Sequence, residues 1–289
     1  IFAIMNLTPG NPARLMLGDN ASEEEIWEME EEMGLHKNFF VRYFDYITDA
    51  VQGDFGISYR NRIPVFDELF ARFPNTLKLA FWGIVISIII GIPVGIISAV
   101  KQYSIIDNIS MVAALLMTSI PSFWLGLIMM LIFSLHLGWL DATGDESWTS
   151  FIMPSITVAA STLATLLRMT RSTMLEVIRQ DYIRTARAKG AGERRVIFKH
   201  ALRNTMLPIV TVIGNNFGFL LGGAMIAETV FSIPGLGSLM IASVRQKDTP
   251  MVMASVLFVA VAIGIVNLII DILYVYIDPR VKSQFMGRR

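Results

Sequence analysis

Residues 181–208 read DYIRTARAKGAGERRVIFKHALRNTMLP, a long basic segment interrupted by glycine. The chemistry open to it is positional and not covalent. The chain has no Cys, so disulfides and thiolate metal sites are excluded, and His36, His136 and His200 are too scattered to suggest a metal cluster. It has no G-x-x-x-x-G-K-[ST] to cradle nucleotide phosphates, no H-E-x-x-H and no G-x-S-x-G. What the segment does carry is a break. A helix bearing Arg184, Arg187 and Lys189 is expected to stop at Gly190-Ala191-Gly192, which permits a left-handed turn and close backbone approach. Glu193 then opens a second helix, whose Val196, Ile197, Ala201 and Leu202 offer an apolar stripe. A helix-turn-helix with small residues at its tip suits docking in a partner's groove. The excess of Arg and Lys would equally suit a connector hugging anionic lipid headgroups.

The elements that must hold this segment are apolar. With 54% hydrophobic and 17% charged residues, the chain departs from a soluble domain, which has about 45–50% and about 25%. Its mean hydropathy of +0.56 agrees, and the composition is that of an all-α polytopic membrane protein. A helix rising about 1.5 Å per residue needs about 20 residues to cross about 30 Å of hydrocarbon. Residues 76–100 meet that need with only Lys78 charged, and Gly83, Ser87, Gly91, Gly95 and Ala99 recur every four residues as a ridge for close helix approach. Residues 109–135 form a second uncharged run. Pro121 within it removes a backbone hydrogen bond, giving either a packing kink or a bend that lines a pathway.

Residues 151–167 form a third span, continued as polar helix by Arg168, Arg171 and Glu176. Residues 206–227 form the next. Gly214, Gly218 and Gly222 make a second ridge there, while Thr211, Asn215 and Asn216 either face a cavity or bond helix to helix, since bare amides are costly in hydrocarbon. Residues 228–250 read as a loop with a compact turn at 231–237, and 251–270 as the last span. Ahead of these, residues 1–7 read as the end of a first span that begins before Ile1. Residues 8–75 read as a helical segment outside the bilayer. In that segment Ser22 and Glu25 fit a capping box, and Glu23 to Glu32 is an acidic helix face. Phe39, Phe40, Tyr43, Phe44, Tyr46 and Ile47 crowd where a helix packs on protein or lies along the membrane surface. A short helix from Pro64 is expected to end at Pro74.

Orientation follows from charge. If the tail at 278–289 is cytoplasmic, alternation places Lys101 and the run from Arg168 to Arg203 on the same side, collecting 15 of the 24 Lys and Arg residues. The positive-inside rule therefore puts the tail and the basic segment in the cytoplasm, and residues 8–75 outside. The transmembrane region is then 76–277, with the cytoplasmic loop at 169–205. No repeat of one half in the other is visible, which weakens an inverted-repeat secondary transporter.

The run Tyr182-Ile183-Arg184-Thr185-Ala186-Arg187-Ala188-Lys189-Gly190, followed by 194–204 and Leu207-Pro208, resembles the coupling loop of ABC importer permeases of the dipeptide, oligopeptide and nickel group. Pro9-Gly10-Asn11-Pro12, Asp54-Phe55-Gly56, Ser119 to Phe123, Phe231 to Gly237 and Asp278-Pro279-Arg280 match the group in order and spacing. Arg184-Thr185-Ala186 replaces the Glu-Ala-Ala of the general importer motif, and Asn11 stands where the group commonly has Asp. The resemblance implies a type I ABC importer permease fold with six transmembrane helices, the first truncated here, and both termini cytoplasmic in a bacterial inner membrane. It implies a second, similar permease, two cytoplasmic ATPase subunits that hold ATP and Mg, and an extracytoplasmic solute-binding protein. No cofactor bound by this chain and no nucleic-acid partner is implied.

Asp181, Tyr182, Arg184, Thr185, Ala186, Arg187, Lys189, Gly190, Ala191 and Gly192 would then couple to the ATPases. Thr211, Asn215, Asn216 and the Pro121 bend would face the path, with Met117 and Phe123 as apolar gates. Peptide is favoured over nickel as cargo, because the spans offer almost no metal ligands beyond Met residues such as Met117, Met129, Met130 and Met225. A channel or scaffold that binds a cytoplasmic partner without pumping is the reading from a different class.

Overall fold

A backbone that enters hydrocarbon must bond its own amides, so long apolar runs in a chain of this composition become helices. The computed structural model describes the chain except Ile1, residues 8–10, Asp19, Glu146 and residues 278–289, and gives backbone only for Gly223 and residues 273–277. Pro9 and Gly10 of the Pro-Gly-Asn-Pro motif, Glu146, and the Asp-Pro-Arg motif with its basic tail lie outside the described residues.

The helices are α1 (Phe2–Leu7), α2 (Pro12–Leu17), α3 (Glu23–Glu32), α4 (Phe39–Val51), α5 (Val65–Val100), α6 (Ile105–Ser119), α7 (Ser122–Met129), α8 (Ile152–Ile178), α9 (Asp181–Ala188), α10 (Glu193–Arg195), α11 (Leu202–Gly223), α12 (Met225–Val230), α13 (Leu236–Arg245) and α14 (Thr249–Ile277). Two π-helical stretches, Met130–His136 and Val196–Ala201, continue α7 and α10, and a 3-10 turn, Trp148–Phe151, leads into α8. Among the described residues four helical stretches are long and apolar enough to cross a membrane: Val65–Val100, Trp148–Ile178, Glu193–Val230 and Thr249–Ile272. Ile105–Ser119 and Ser122–His136 make a fifth if the pair, bent by 103°, counts as one.

Contacts divide the chain into two units. The first comprises Ile1–Thr76 and Pro234–Val261. Its core is Val65, Leu69, Leu236, Leu239, Met251 and Ala254, with Phe55, Phe73 and Phe258 packed on it. Ser22 accepts from the Glu25 amide at 3.3 Å while the Glu25 carboxylate accepts from the Ser22 amide at 2.8 Å, the expected capping box. The carboxylate accepts from the Ser22 amide and also from the Ser22 hydroxyl at 2.8 Å, and these two bonds hold Glu25 below the usual carboxylate range. Asn11 caps α2 through the Ala13 and Arg14 amides and gives its own NH2 to Glu30 at 2.6 Å, a donation that an ionised Asp could not make. Buried Asp248 accepts from the Ser58 hydroxyl and from the Tyr59 amide at 3.2 Å, joining the Phe55 loop to the start of α14. Burial pushes the Tyr59 phenol up to about 12.

Two readings need correction here. Pro74 does not end a short helix: α5 runs through it from Val65 to Val100. Residues on both sides are anchored, Val65 and Leu69 by the core, and the next turn by Asn75 donating to the Pro234 carbonyl at 3.1 Å and Thr76 accepting from the Leu236 amide at 2.8 Å. Packing thus outweighs the local preference of proline. Residues 228–250 are not a simple loop either, because α13 lies within them, started by Gly235 with Ser238 and burying Leu236, Leu239 and Ser243.

The second unit comprises Leu77–Ile233 and Ala262–Arg289, and α8 is its axis. In its apolar window 72% is buried, against 17% for α14, so α8 is the helix the others surround. The small-residue ridge of α5 lies against it as expected: a Cβ on Gly95 would come within 2.7 Å of Thr170 Cβ and 2.8 Å of the Leu167 carbonyl, and one on Gly91 within 3.2 Å of the Leu163 carbonyl. Ser87 donates to the Gly83 and Ala159 carbonyls from the same face. On α11 the second ridge faces α14, where Gly214 leaves room for Ile270.

A Gly95→Ala variant is expected to lose about 1–3 kcal/mol, because the space there is taken by the Leu167 carbonyl and the Thr170 Cβ, neither of which can yield. Gly264→Ala, where nothing lies within 4 Å, should hold or gain up to about 1 kcal/mol. Thermal unfolding of the two purified variants in one detergent compares them.

Candidate functional site

The basic segment folds as a helix, a glycine stop and a second helix. In α9 the Ala191 amide donates to the Ala186 carbonyl at 3.2 Å and the Gly190 amide to the Arg187 carbonyl at 2.9 Å, the paired bonds of a Schellman motif. Gly190 supplies the left-handed residue this motif needs, with φ of +82°. Gly192 caps the next helix through its carbonyl, which accepts from the Arg195 and Val196 amides. Across the turn the Arg187 guanidinium grips Glu193 with two bonds of 2.7 and 3.3 Å. Nothing stands within 4 Å of a Cβ at Gly190 or Gly192, so the tip is open.

Of the residues singled out in this segment, Asp181, Tyr182, Arg184, Thr185, Arg187, Lys189, Gly190 and Gly192 are exposed, and Ala186 and Ala191 are half-buried. Arg184 sits 3.7 Å from Asp181, and Tyr182 accepts a bond from Asn204 at 2.9 Å. The residue that holds the loop was not among them. Ile183 is fully buried with Ile96, Ala99, Met174, Val196 and Ala201, which ties α9 to the ends of α5 and α8. Its signal was present: Ile183 and Ala186, three apart, are the apolar side of a helix otherwise polar.

A second feature was also missed. Asp107, buried in the first turn of α6, takes two bonds from Arg171 of α8, at 2.6 and 2.8 Å, and further bonds from the Ser98 hydroxyl and the Tyr103 amide. The carboxylate therefore joins α5, the turn after it, α6 and α8. The clue was a lone acidic residue at the end of a span where basic residues collect.

The residues proposed to line a path fall in two places. At the first, Ile120 is extended with ψ of 124°, the conformation a following proline favours, and Pro121 has no N–H for the Met117 carbonyl. Met117, Pro121 and Phe123 are all exposed around this 103° bend. At the second, Thr211 bonds the Leu207 carbonyl and Asn216 the Val212 carbonyl, each one turn back, while Asn215 is exposed. Gly214 packs toward α14 as Asn215 points elsewhere, in line with exposed Phe219 four residues on. Among the described residues no hydrogen bond or ring contact joins the two places.

Helical stretches of membrane length, with an exposed basic loop hung from the most buried of them, define a membrane-spanning protein that presents a docking-competent loop. Residues 91–283 match the family described as "Binding-protein-dependent transport system inner membrane component", and residues 1–80 match its N-terminal part. The chain belongs to this family. It is 42% identical over 282 residues to the glutathione transport system permease protein GsiC of Escherichia coli, covering 98% of this chain and 92% of that one. It is 41% identical over 309 residues to the dipeptide transport system permease protein DppB of Alkalihalophilus pseudofirmus, covering 97% and 93%. The fold is that of a chain in the inward-facing MetNI methionine ABC transporter, with a TM-score of 0.61 at 20% identity over 73% of this chain and 96% of that one.

Removing Arg171 alone should be far costlier than removing the pair. Arg171→Met leaves Asp107 buried and unpaired, a loss of about 3–5 kcal/mol, while adding Asp107→Leu should restore much of it. The thermal midpoints of the single and double variants test this.

Proposed function

We propose that this chain is the permease subunit of an ATP-driven importer that carries peptides across the bacterial cytoplasmic membrane. The observation that carries this reading is similarity above 40% over nearly the whole chain to permeases named for glutathione and for a dipeptide. Nickel, the alternative cargo, gains no support from these relatives. Both termini and residues 169–205 are cytoplasmic in this reading, as the clustering of basic residues favours. A second permease completes the path, a solute-binding protein delivers cargo outside, and two ATPase subunits hold ATP and Mg.

Residues 181–192 dock in an ATPase groove, with Gly190 and Gly192 letting the groove wall approach the backbone. Because Ile183 is buried among Ile96, Ala99 and Met174, displacement of α9 is passed directly to the ends of α5 and α8. The Asp107–Arg171 bridge passes it on to α6, which leads to the Pro121 bend. Two access states biased by the ATPases at one end and by cargo at the other are the physical content of coupling. Met117, Phe123, Thr211, Asn215 and Asn216 face the path in this reading, where the exposed Asn215 amide and the apolar Met117 and Phe123 suit a cargo of peptide groups.

Gly190→Asp, which adds a side chain to a left-handed position at a cost of about 1–2 kcal/mol and fills the open tip, is expected to leave insertion intact and abolish transport. Uptake of a labelled dipeptide by proteoliposomes of the whole complex, read beside ATP hydrolysis, decides it; unchanged uptake would sink the docking assignment. The same vesicles should accumulate dipeptide or glutathione and not nickel. Since the chain has no Cys, single cysteines at 215 and 216 report the path, and failure of aqueous thiol reagents to reach either in any nucleotide state refutes it.

A further inference from the structure

The aromatic helix α4 has three faces. Arg42 and Tyr46 are half-buried and turned toward the chain. Asp45, Thr48 and Asp49 are exposed on a polar side, where Asp45 pairs with Lys37 at 3.1 Å. The third side is a largely uncovered apolar stripe: Phe40, Phe44, Ile47 and Val51 recur at helical spacing and are 67%, 63%, 39% and 83% exposed, with Phe40 and Phe44 bordering a groove they share with Phe2 and Ala3. Four large apolar side chains in one line are too much surface to leave in water without a partner.

The inward side tells which partner. Tyr46 shares a groove with Phe2, Met253, Val256, Leu257 and Ala260, so α4 lies against the first turns of the apolar helix α14. The Phe2 ring also meets Phe39 and Tyr43, at 5.4 and 5.5 Å between centroids. The membrane-length stretch of α14 begins at Thr249. At about 1.5 Å per residue, Met253 lies about 6 Å into it and Ala260 about 17 Å, so the groove opens near the boundary between headgroups and acyl chains and deepens from there. The apolar face of an interfacial helix sits about 5–10 Å into that boundary. This part of α14 is itself partly uncovered, with Leu257 and Val261 exposed. The helix on which α4 rests thus offers apolar surface of its own to lipid.

We propose that α4 is an interfacial helix, with Phe40, Phe44, Ile47 and Val51 seated in lipid and Asp45, Thr48 and Asp49 kept at the headgroup level. Its partner is the bilayer, and its effect is to hold the extramembrane part of the first unit at a set depth. The amphipathic spacing supplies the two environments that such a helix needs: aromatic and aliphatic side chains on one side, carboxylates on the next.

The test uses the full-length chain assembled with its partner permease and ATPases in lipid nanodiscs. Nitroxides are attached at Phe44→Cys and Ile47→Cys, at the end position Val51→Cys, where a lightly packed side chain spares the fold, and at Asp45→Cys and Asp49→Cys as polar controls. Relaxation by oxygen, which concentrates in acyl chains, is compared with relaxation by a water-soluble nickel chelate. Oxygen should dominate by about threefold or more at 44, 47 and 51, and the chelate at 45 and 49, as expected for an interfacial helix. Low relaxation by both reagents at 44, 47 and 51 would mean that a protein subunit covers the stripe, and would overturn the proposal. So would a dominant chelate effect there, which would place the stripe in water.

Discussion

The arrangement of the second unit depends on how closely α5 can approach α8. Lipid tails are as apolar as leucine, so nothing drives two spans together except fit and the hydrogen bonds between them. Fit is supplied by subtraction: at Gly83, Gly91 and Gly95 the side chain is absent where Val158, Leu163, Leu167 and Thr170 come through. Ser87 adds a hydroxyl bonded to a carbonyl on each helix. Because α8 is held in this way along one side, its far end is a stable mounting, and α9 is fixed there by Ile183 and Met174. The Asp107–Arg171 bridge belongs to the same end of the helix. It is a charged contact where the apolar packing gives out, and two bonds of good geometry with Ser98 and Tyr103 around them satisfy the carboxylate as few surface pairs are satisfied.

Much of this was legible in the sequence because it rests on local rules. Small residues every fourth position, an uncharged run of membrane length, and a glycine after a basic helix each depend on few neighbours, and the ridges and the Schellman stop are where those rules put them. Pro74 shows where local rules give out. Its ring removes a bond and discourages helix, but contacts made by Val65, Leu69, Asn75 and Thr76 lie far away in sequence and hold the helix straight through it. The same holds for α13, whose glycine-rich entry reads as a turn until Leu236 and Leu239 find the core. Ile183 and Asp107 were overlooked for a related reason. Attention to a basic loop falls on its charges, whereas its position is set by the one apolar side chain it turns inward.

The chain's chemistry is mechanical. It presents a braced loop to one compartment, carries amides on a span whose opposite side is packed, and has a sharp bend in another span. None of these groups is arranged to form or break a bond, and each is arranged to hold a position. That division of labour suits an inner membrane component of a binding-protein-dependent transport system, the family to which the chain belongs.

The π-helical stretch Val196–Ala201 stands between the loop and α11. A π turn amounts to an α-helix with one residue inserted, and each residue of an α-helix accounts for about 100° of rotation and about 1.5 Å of rise. Restoring that one residue to α geometry would therefore turn α11 about its own axis by roughly a quarter of a circle without unwinding it. The stretch would in effect be a gear tooth: with loop and span kept as one continuous rod, that single change would turn the side carrying Asn215 by a discrete step.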